Sequence, residues 1–166
     1  MIREITFRLR DGFYVGLGLA FVAGTFLIWL WQPDRQVSRN SQKLLQGIEA
    51  RDWEGVAGMI ADDYADQWGQ GRMLVLPRLR ETFRYVSDAQ ISANEPIVTT
   101  ANGNGTWRAK ILIQGNRGEV IAIIKDRVNS LTTPFELKWR HSSGKPWDWR
   151  LVWVGNPELQ LPAGFD

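Results

Sequence analysis

The sequence contains no cysteine and only one histidine. The absence of cysteine excludes disulfide bonds, thiolate nucleophiles and cysteine-based metal sites. A single histidine also excludes any metal or catalytic site that needs two or more histidines. The formal net charge is only +2 over 166 residues, which is too small to indicate a nucleic-acid partner. Since phosphate-loop, serine-nucleophile and metal-ligand motifs are lacking as well, we expect neither a cofactor nor a metal.

A long apolar segment, by contrast, is present near the N-terminus. Residues 13–31 carry no charge and are about as long as a helix that crosses a ~30 Å hydrocarbon core. Tyr14, Trp29 and Trp31 near its ends match the aromatic belt of membrane interfaces. No small-residue cleavage pattern follows the segment. We therefore predict a short head at residues 1–12 and a single transmembrane helix at residues 13–31.

The orientation of this span depends on the basic residues beside it. They are Arg3, Arg8 and Arg10 before the span and Arg35, Arg39 and Lys43 after it. Equal numbers on the two sides do not decide the orientation by the positive-inside rule. The preceding arginines lie closer to the span, and a short head is easily retained inside. We therefore favour an inner-membrane protein with a cytoplasmic N-terminus and the domain outside.

Small residues recur every four positions along the same segment, at Gly12, Gly16, Ala20 and Gly24. On a helix these positions form one narrow stripe where a second helix can approach closely. The stripe predicts self-association, with a homodimer as the simplest product. The alternative is an ordinary glycine-rich membrane anchor.

After a polar linker, predicted at residues 32–37, apolar residues recur at helical spacing. A first helix ends near residue 50, and Asp52 is suited to cap a second, shorter helix. A third helix is predicted at residues 72–86, with Pro77 in its first turn or at a kink.

From residue 89 onward the apolar period changes to two, which is typical of strands. The pattern predicts a strand at residues 91–100 interrupted at Pro96, a turn at residues 102–105 and a strand at residues 107–113. Residues 119–131 combine strand-forming β-branched residues with helical spacing. A short helix is favoured there, and a strand is the alternative.

The clearest pattern in the chain is two alternating runs at residues 135–141 and 147–154. Such alternation predicts two half-buried antiparallel strands. One face would carry Phe135, Leu137, Trp139, His141, Trp147, Trp149, Leu151 and Trp153. A five-residue loop at residues 142–146 would place Trp139 opposite Trp149 and Arg140 opposite Asp148.

A sheet face with so many aromatic side chains must be buried against another layer, and the upstream helices are the candidates for that layer. The sequence thus predicts an α+β domain in which three N-terminal helices pack on an antiparallel sheet. The tail at residues 159–166 should be a loose extension.

Two stretches and the closing strand pair resemble a known superfamily. The stretches are Leu44, Leu45, Ile48, Glu49, Ala50, Arg51, Asp52 and Trp53, then Ala61, Asp62, Asp63 and Tyr64. Together they are similar to the nuclear transport factor 2-like superfamily, over residues 38–158. The resemblance implies a curved sheet that wraps round the helices to form a cone with an apolar pocket. It also implies a choice of roles, because some members resemble ketosteroid isomerase or scytalone dehydratase, whereas many bind ligands or partners and many form dimers. No stretch matches an enzyme member's catalytic motif.

His141 is the best single candidate for an acid or base, because by parity it shares a face with Trp139 and Trp149. An enzyme would need such a group inside an apolar pocket, where burial shifts the pKa. The alternative is that His141 lies at the rim of the sheet with one edge in water. That alternative is favoured, because no partner that would orient the ring is identified.

Asp63, Tyr64 and Asp66 are the next candidates, since in the resembling superfamily the step from helix to sheet borders the mouth of the cone. Asp63 as a base and Tyr64 as a hydrogen-bond donor would suit proton abstraction next to a carbonyl. Equally, Tyr64 fills the core. With Asp62 these carboxylates could also hold a cation, but a solvated turn is the more common role of such a cluster.

Trp107, Trp139, Trp149 and Trp153 are candidates to line a ligand pocket, although packing against helices is the default for an aromatic stripe. Three hypotheses follow for the function. The first is an anchored, non-catalytic domain that binds an apolar small molecule or a protein partner. The second is an anchored isomerase or dehydratase that uses His141 or the Asp63 and Tyr64 pair. The third is a structural subunit of an envelope complex.

Overall fold

The computed structural model describes residues 9–84, 89–115 and 119–160. The chain divides into two compact units, with the boundary between Gln32 and Pro33. The first unit contains helix α1 (Leu9–Leu30). The second contains, in order, α2 (Pro33–Ala50), α3 (Trp53–Met59), α4 (Arg72–Arg84), β1 (Gln90–Ala101), β2 (Asn104–Gln114), α5 (Glu119–Asn129), β3 (Phe135–His141) and β4 (Trp149–Gly155).

Helix α1 is long and apolar enough to cross a membrane over Gly12–Leu30. Its large apolar side chains are exposed, among them Phe21 and Ile28. A Cβ atom added at Gly16 or Gly24 would meet no neighbour within 4 Å. The small-residue stripe therefore lies on one continuous helix with free space beside it, and association through it stays a prediction.

The prediction of a polar linker at residues 32–37 is wrong, because α2 begins at Pro33. Proline is well suited to the first turn of a helix, where its missing N–H is not needed. Asp34 also lies in that first turn, where a negative charge interacts favourably with the helix dipole. Only Trp31 and Gln32 separate α1 from α2.

The structure confirms the next two predicted helices, α3 and α4, which were predicted from residues within each helix and at its ends. The Asp52 carboxylate caps α3 by accepting a hydrogen bond of 3.0 Å from the backbone N–H of Gly55. Helix α4 begins at Arg72 as predicted and is described to Arg84, so its predicted end at Val86 lies outside the described residues. Pro77 lies inside α4, beyond the first turn.

The four strands form one antiparallel sheet in the order β1-β2-β3-β4. The predicted interruption at Pro96 is a break in the register of β1 between Asn94 and Ile97, where Glu95 has a φ of 52°. At the β1–β2 turn, Asn102 and Gly103 have φ values of 50° and 74°. Two consecutive positive φ angles are typical of tight hairpin turns.

Residues 119–131 are mainly helical, as the favoured interpretation predicted, because α5 spans Glu119–Asn129. A side chain at its end fixes the helix to the sheet. Asn129 donates to the Ile113 carbonyl at 3.0 Å and accepts from the Ile113 N–H at 2.9 Å. The amide thus satisfies both backbone groups of one strand residue.

The closing strand pair exists, but its predicted register is wrong. His141 pairs with Trp149, and Trp139 pairs with Leu151. The loop is therefore residues 142–148 rather than 142–146. Two backbone hydrogen bonds close it, from the Ser142 N–H to the Asp148 carbonyl at 2.9 Å and from the Asp148 N–H to the Lys145 carbonyl at 3.0 Å.

A second irregularity lies between Lys138 and Trp139 and reverses the faces of β4 beyond it. Trp153 pairs with Lys138, whose ammonium lies 4.3 Å from the centroid of the indole ring. Val154 instead packs against the core. Arg140 lies opposite Arg150 and not opposite Asp148, so that predicted pair is also wrong.

The core lies between the sheet and the helices of the second unit. Its buried members from the helical half include Val37, Leu44 and Val56, and those from the sheet include Trp107 and Trp139. Helix α2 approaches the sheet closely where Val37 faces Gly105. Buried tryptophan side chains fill this end of the layer, whereas the opposite end is lined mostly by aliphatic side chains, together with Tyr64, Trp68, Phe83 and Phe135.

Candidate functional site

An apolar cavity of about 270 Å³ lies within the second unit, between the helices and the sheet. Its walls come from α2, α4 and the strands, and include Leu44, Ile48, Leu79, Phe83, Ile111 and Val154. These are the apolar faces of amphipathic elements, which face inward because their opposite faces are polar. The cavity is therefore a space inside the core that the surrounding side chains do not fill.

One end of the cavity carries polar groups, supplied by the turn between α3 and α4. Tyr64, Asp66 and Trp68 all contribute to the lining there. Burial raises the pKa of the Tyr64 phenol, and the nearby Asp66 carboxylate raises it further. The Tyr64 phenol is therefore protonated at neutral pH, which suits it to donate a hydrogen bond rather than to act as a base.

The Asp66 carboxylate is buried and partly engaged in holding its own turn. Its Oδ1 atom accepts hydrogen bonds from the backbone N–H of Trp68 at 2.9 Å and from that of Gln70 at 2.8 Å. The Trp68 indole N–H in turn donates to the Leu159 carbonyl at 2.9 Å. These contacts fix the polar end of the cavity.

Asp63 lies elsewhere, although it precedes Tyr64 directly in sequence. Both of its carboxylate oxygens accept from the Arg140 guanidinium, at 2.8 and 2.9 Å. These hydrogen bonds lower the pKa of Asp63. The pair lines a separate polar cleft, which Asp62, Arg72 and Arg150 share. The predicted partnership of Asp63 as base with Tyr64 as donor is therefore wrong, because the two side chains lie in different sites.

The three carboxylates of this segment are held by different partners. Asp62 pairs with Arg72, Asp63 with Arg140, and Asp66 with backbone N–H groups of its own turn. Within the described residues, no group of three or more histidine, aspartate or glutamate side chains is arranged to hold a metal ion.

The Arg140 contact predicts a measurable titration. We expect the Asp63 carboxyl to titrate below its ordinary value of 3.8 and to return towards that value in Arg140→Gln. The sign follows from charge, since Arg140 favours the ionised form. Any stability that the pair contributes is therefore present above 3.8 and lost as the pH falls through the lowered value. Carboxyl chemical shifts followed by NMR provide the measurement, and an unchanged midpoint in Arg140→Gln would contradict this assignment.

His141 lies at the rim of the sheet, the alternative that the sequence favoured. Its Nε2 atom is 2.8 Å from the Lys145 carbonyl, and its ring centroid is 5.2 Å from that of Trp149. The side chain is partly exposed and does not line the apolar cavity. These contacts hold the imidazole at the end of β3 against the 142–148 loop and Trp149.

None of the four tryptophan candidates lines the cavity. Trp107, Trp139 and Trp149 are buried in the core, at the other end of the layer. Trp153 lies against Lys138 on the opposite face of the sheet. Several lining residues, such as Leu44 and Phe83, lie in segments that the sequence predicts only to be helical. No sequence signal distinguishes an apolar residue beside a cavity from one in solid packing.

Helices packed on a four-stranded antiparallel sheet, with a cavity between them, make the second unit an α+β domain. No protein-family model matches the sequence, and no curated protein matches it significantly. Solved structures, however, match the fold. An NTF2-like protein of unknown function from Pseudomonas putida KT2440 aligns with a TM-score of 0.55 and 11% identity, over 73% of this chain and 82% of that one.

Two further structures extend this comparison. The CaMKII hub of S. rosetta aligns with a TM-score of 0.55 and 14% identity, over 74% of this chain and 94% of the hub. Bd1075 of Bdellovibrio bacteriovorus aligns with a TM-score of 0.57 and 8% identity, over 73% of this chain. This chain spans only 38% of Bd1075. At such low identities the likeness concerns the fold alone, and the predicted nuclear transport factor 2-like fold is confirmed.

Proposed function

We propose that this chain is a membrane-anchored, non-catalytic domain that binds a small apolar molecule in the cavity between its helices and its sheet. The observation that carries the proposal is an apolar space of about 270 Å³ that the Tyr64 side chain helps to line. Ligand sites typically begin at roughly 300 Å³. The occupant is therefore a compact molecule.

The polar end indicates the chemistry of this ligand. A protonated Tyr64 donates a hydrogen bond, which suits a carbonyl or ether oxygen. A ligand carboxylate at the same place would lie near the Asp66 carboxylate and would be repelled. We therefore infer a neutral, largely apolar ligand with one hydrogen-bond acceptor.

Helix α1 supports the membrane part of the proposal, because it is long and apolar enough to span a bilayer. The arginines that precede it support a cytoplasmic N-terminus, which leaves the domain outside. Anchored in this way, the domain would hold its ligand close to one membrane surface without being buried in it.

A pair of matched probes tests the pocket. We expect the full-length chain in detergent to bind 2-acetylnaphthalene more tightly than 2-isopropenylnaphthalene, which has nearly the same shape but a CH2 group in place of the carbonyl oxygen. In Tyr64→Phe the preference should fall by about 2- to 13-fold, since a net hydrogen bond is worth roughly 0.5–1.5 kcal/mol. Calorimetric titration, corrected for partition into micelles, gives both dissociation constants.

Val75→Trp serves as the control that fills the cavity, because Val75 lines it from α4 and is only partly buried. This variant should fold normally by circular dichroism and bind neither probe. Unchanged binding in Val75→Trp would show that the probes bind elsewhere and would overturn the proposed pocket.

A second candidate function is an anchored isomerase or dehydratase, favoured by one observation. Tyr64 and Asp66 both reach the apolar cavity, where an acid and a base could act on one ligand. Native mass spectrometry of the chain extracted from its own membrane would separate the two functions. A ligand that is recovered unchanged after incubation supports binding alone. A ligand altered by the wild-type chain but not by Asp66→Asn supports catalysis.

A further inference from the structure

The position of helix α2 shows which end of the sheet lies beside the chain segment that comes from α1. The Thr100 hydroxyl donates to the Asp34 carboxylate, so the start of α2 lies beside the end of β1. At the other end, the Ile91 N–H donates to the Glu49 carboxylate at 3.1 Å. Helix α2 therefore runs along β1, and its N-terminus lies at the end of the sheet that carries the β1–β2 turn.

The loop at residues 142–148 lies at this same end of the sheet. The His141 N–H, directly before the loop, donates to the carbonyl of Gly103 in the β1–β2 turn at 2.8 Å. Lys145 and Trp147 also share a shallow cleft with Asn40 of α2. Asn40 is about 10 Å along the helix axis from Pro33, at 1.5 Å per residue.

The exposed groups of this loop have the chemistry of a membrane interface. Trp147 is 55% exposed, and Lys145 beside it is exposed as well. Tryptophan prefers the headgroup layer, where its ring is partly apolar and its N–H stays wet. A lysine next to it can contact lipid phosphates.

The ligand cavity lies towards the other end of α2. Leu44 and Ile48 line it, whereas Val37, nearer the start of the helix, packs against Gly105 and closes the layer. Ile91, which bonds the last turn of α2, also lines the cavity. The core is thus tightly packed at the end of the sheet where α2 begins, and the cavity lies towards the end where α2 finishes.

A very short segment connects the predicted membrane helix α1 to α2. Only Trp31 and Gln32 lie between α1 and Pro33, and two residues span at most about 7 Å. We propose that the 142–148 loop is a membrane contact, in which Trp147 enters the headgroup layer of the bilayer that holds α1 and Lys145 meets lipid phosphates. The inference rests on the proposed membrane anchor.

The absence of cysteine makes the chain well suited to site-specific spin labelling. The full-length chain is reconstituted into vesicles of phosphatidylcholine and phosphatidylglycerol with one nitroxide at Gly144→Cys. A Cβ there would meet no neighbour within 4 Å. Gln114→Cys, an exposed site at the other end of β2, is the matched control. Val22→Cys, on the exposed surface of α1, reports on the anchor itself.

Collision with oxygen, which dissolves in lipid, is compared with collision with a water-soluble nickel complex. We expect the oxygen-to-nickel ratio at Gly144→Cys to exceed that at Gln114→Cys severalfold and to fall towards it when Trp147→Ala is added. Equal ratios at the two sites, with a lipid-exposed label at Val22→Cys, would overturn the membrane contact and leave the anchor intact. An aqueous label at Val22→Cys would overturn the anchor and, with it, the contact.

Discussion

Replacing Trp139 with alanine is expected to lower the free energy of unfolding by about 3–5 kcal/mol, the usual cost of emptying a large core site. The Trp139 side chain is 0% exposed. It lies on a central strand, opposite Gly105 on one side and Leu151 on the other. Because glycine has no side chain with which to fill the space left by the indole, we expect the upper part of this range.

Trp147→Ala is the matched control, because alternation alone places Trp147 on the same face as Trp139. In the structure Trp147 belongs to the loop and is largely exposed. Its replacement should therefore change stability by no more than about 0.5 kcal/mol. Urea unfolding of the full-length chain in detergent, followed by circular dichroism, measures both variants. Similar losses for the two would contradict the observed register and support the one predicted from alternation.

The closing hairpin shows where sequence periodicity stops being informative. Alternation correctly predicts that Leu137, Trp139 and Leu151 are buried, because it depends only on the local pleat of a strand. The register depends instead on the length of the loop and on the irregularity after Lys138. The two extra loop residues shift the pairing by two positions and leave each side chain on its predicted face. The irregularity instead adds one residue to β4, so the face of every later side chain changes. Trp153 was therefore assigned to the wrong side.

The helices were easier to predict, because their signals are local. Asp52 predicts the start of α3 because aspartate is a common N-cap residue. The helical spacing of apolar residues in 119–131 indicates α5. Composition predicts a linker at Pro33, although proline is equally compatible with the first turn of a helix, where the structure places it. Composition could not distinguish these two roles, and packing of the following turns against the sheet decides between them.

The site was less predictable than the fold. Tyr64 and Asp66 could be chosen from the sequence, but their separation from Asp63 could not, because Arg140 is distant in the chain and binds only Asp63. The volume of the cavity depends on how imperfectly aliphatic side chains from several elements fill the core. That is a property of the assembled layers and has no signature in any one segment.

Gly105→Ala is expected to lower the free energy of unfolding by about 1–3 kcal/mol, the usual cost of overpacking a core. The sequence suggested a turn residue here, yet Gly105 lies in β2 and does not have a positive φ. An alanine backbone is therefore allowed, and the cost comes from space alone. The new Cβ would overlap a methyl group of Val37 and would lie 3.3 Å from the Trp149 ring.

Val37 cannot easily yield, because it is fully buried on α2 and a β-branched side chain has little rotamer freedom in a helix. Gly144→Ala, at an open loop position, should by comparison change stability little. The double variant Gly105→Ala with Val37→Ala removes the overlapping methyl group. It should therefore be less destabilised than the sum of the two single variants in the same urea unfolding experiment. Additive losses would show that Gly105 is required for a reason other than the close approach of α2 to the sheet.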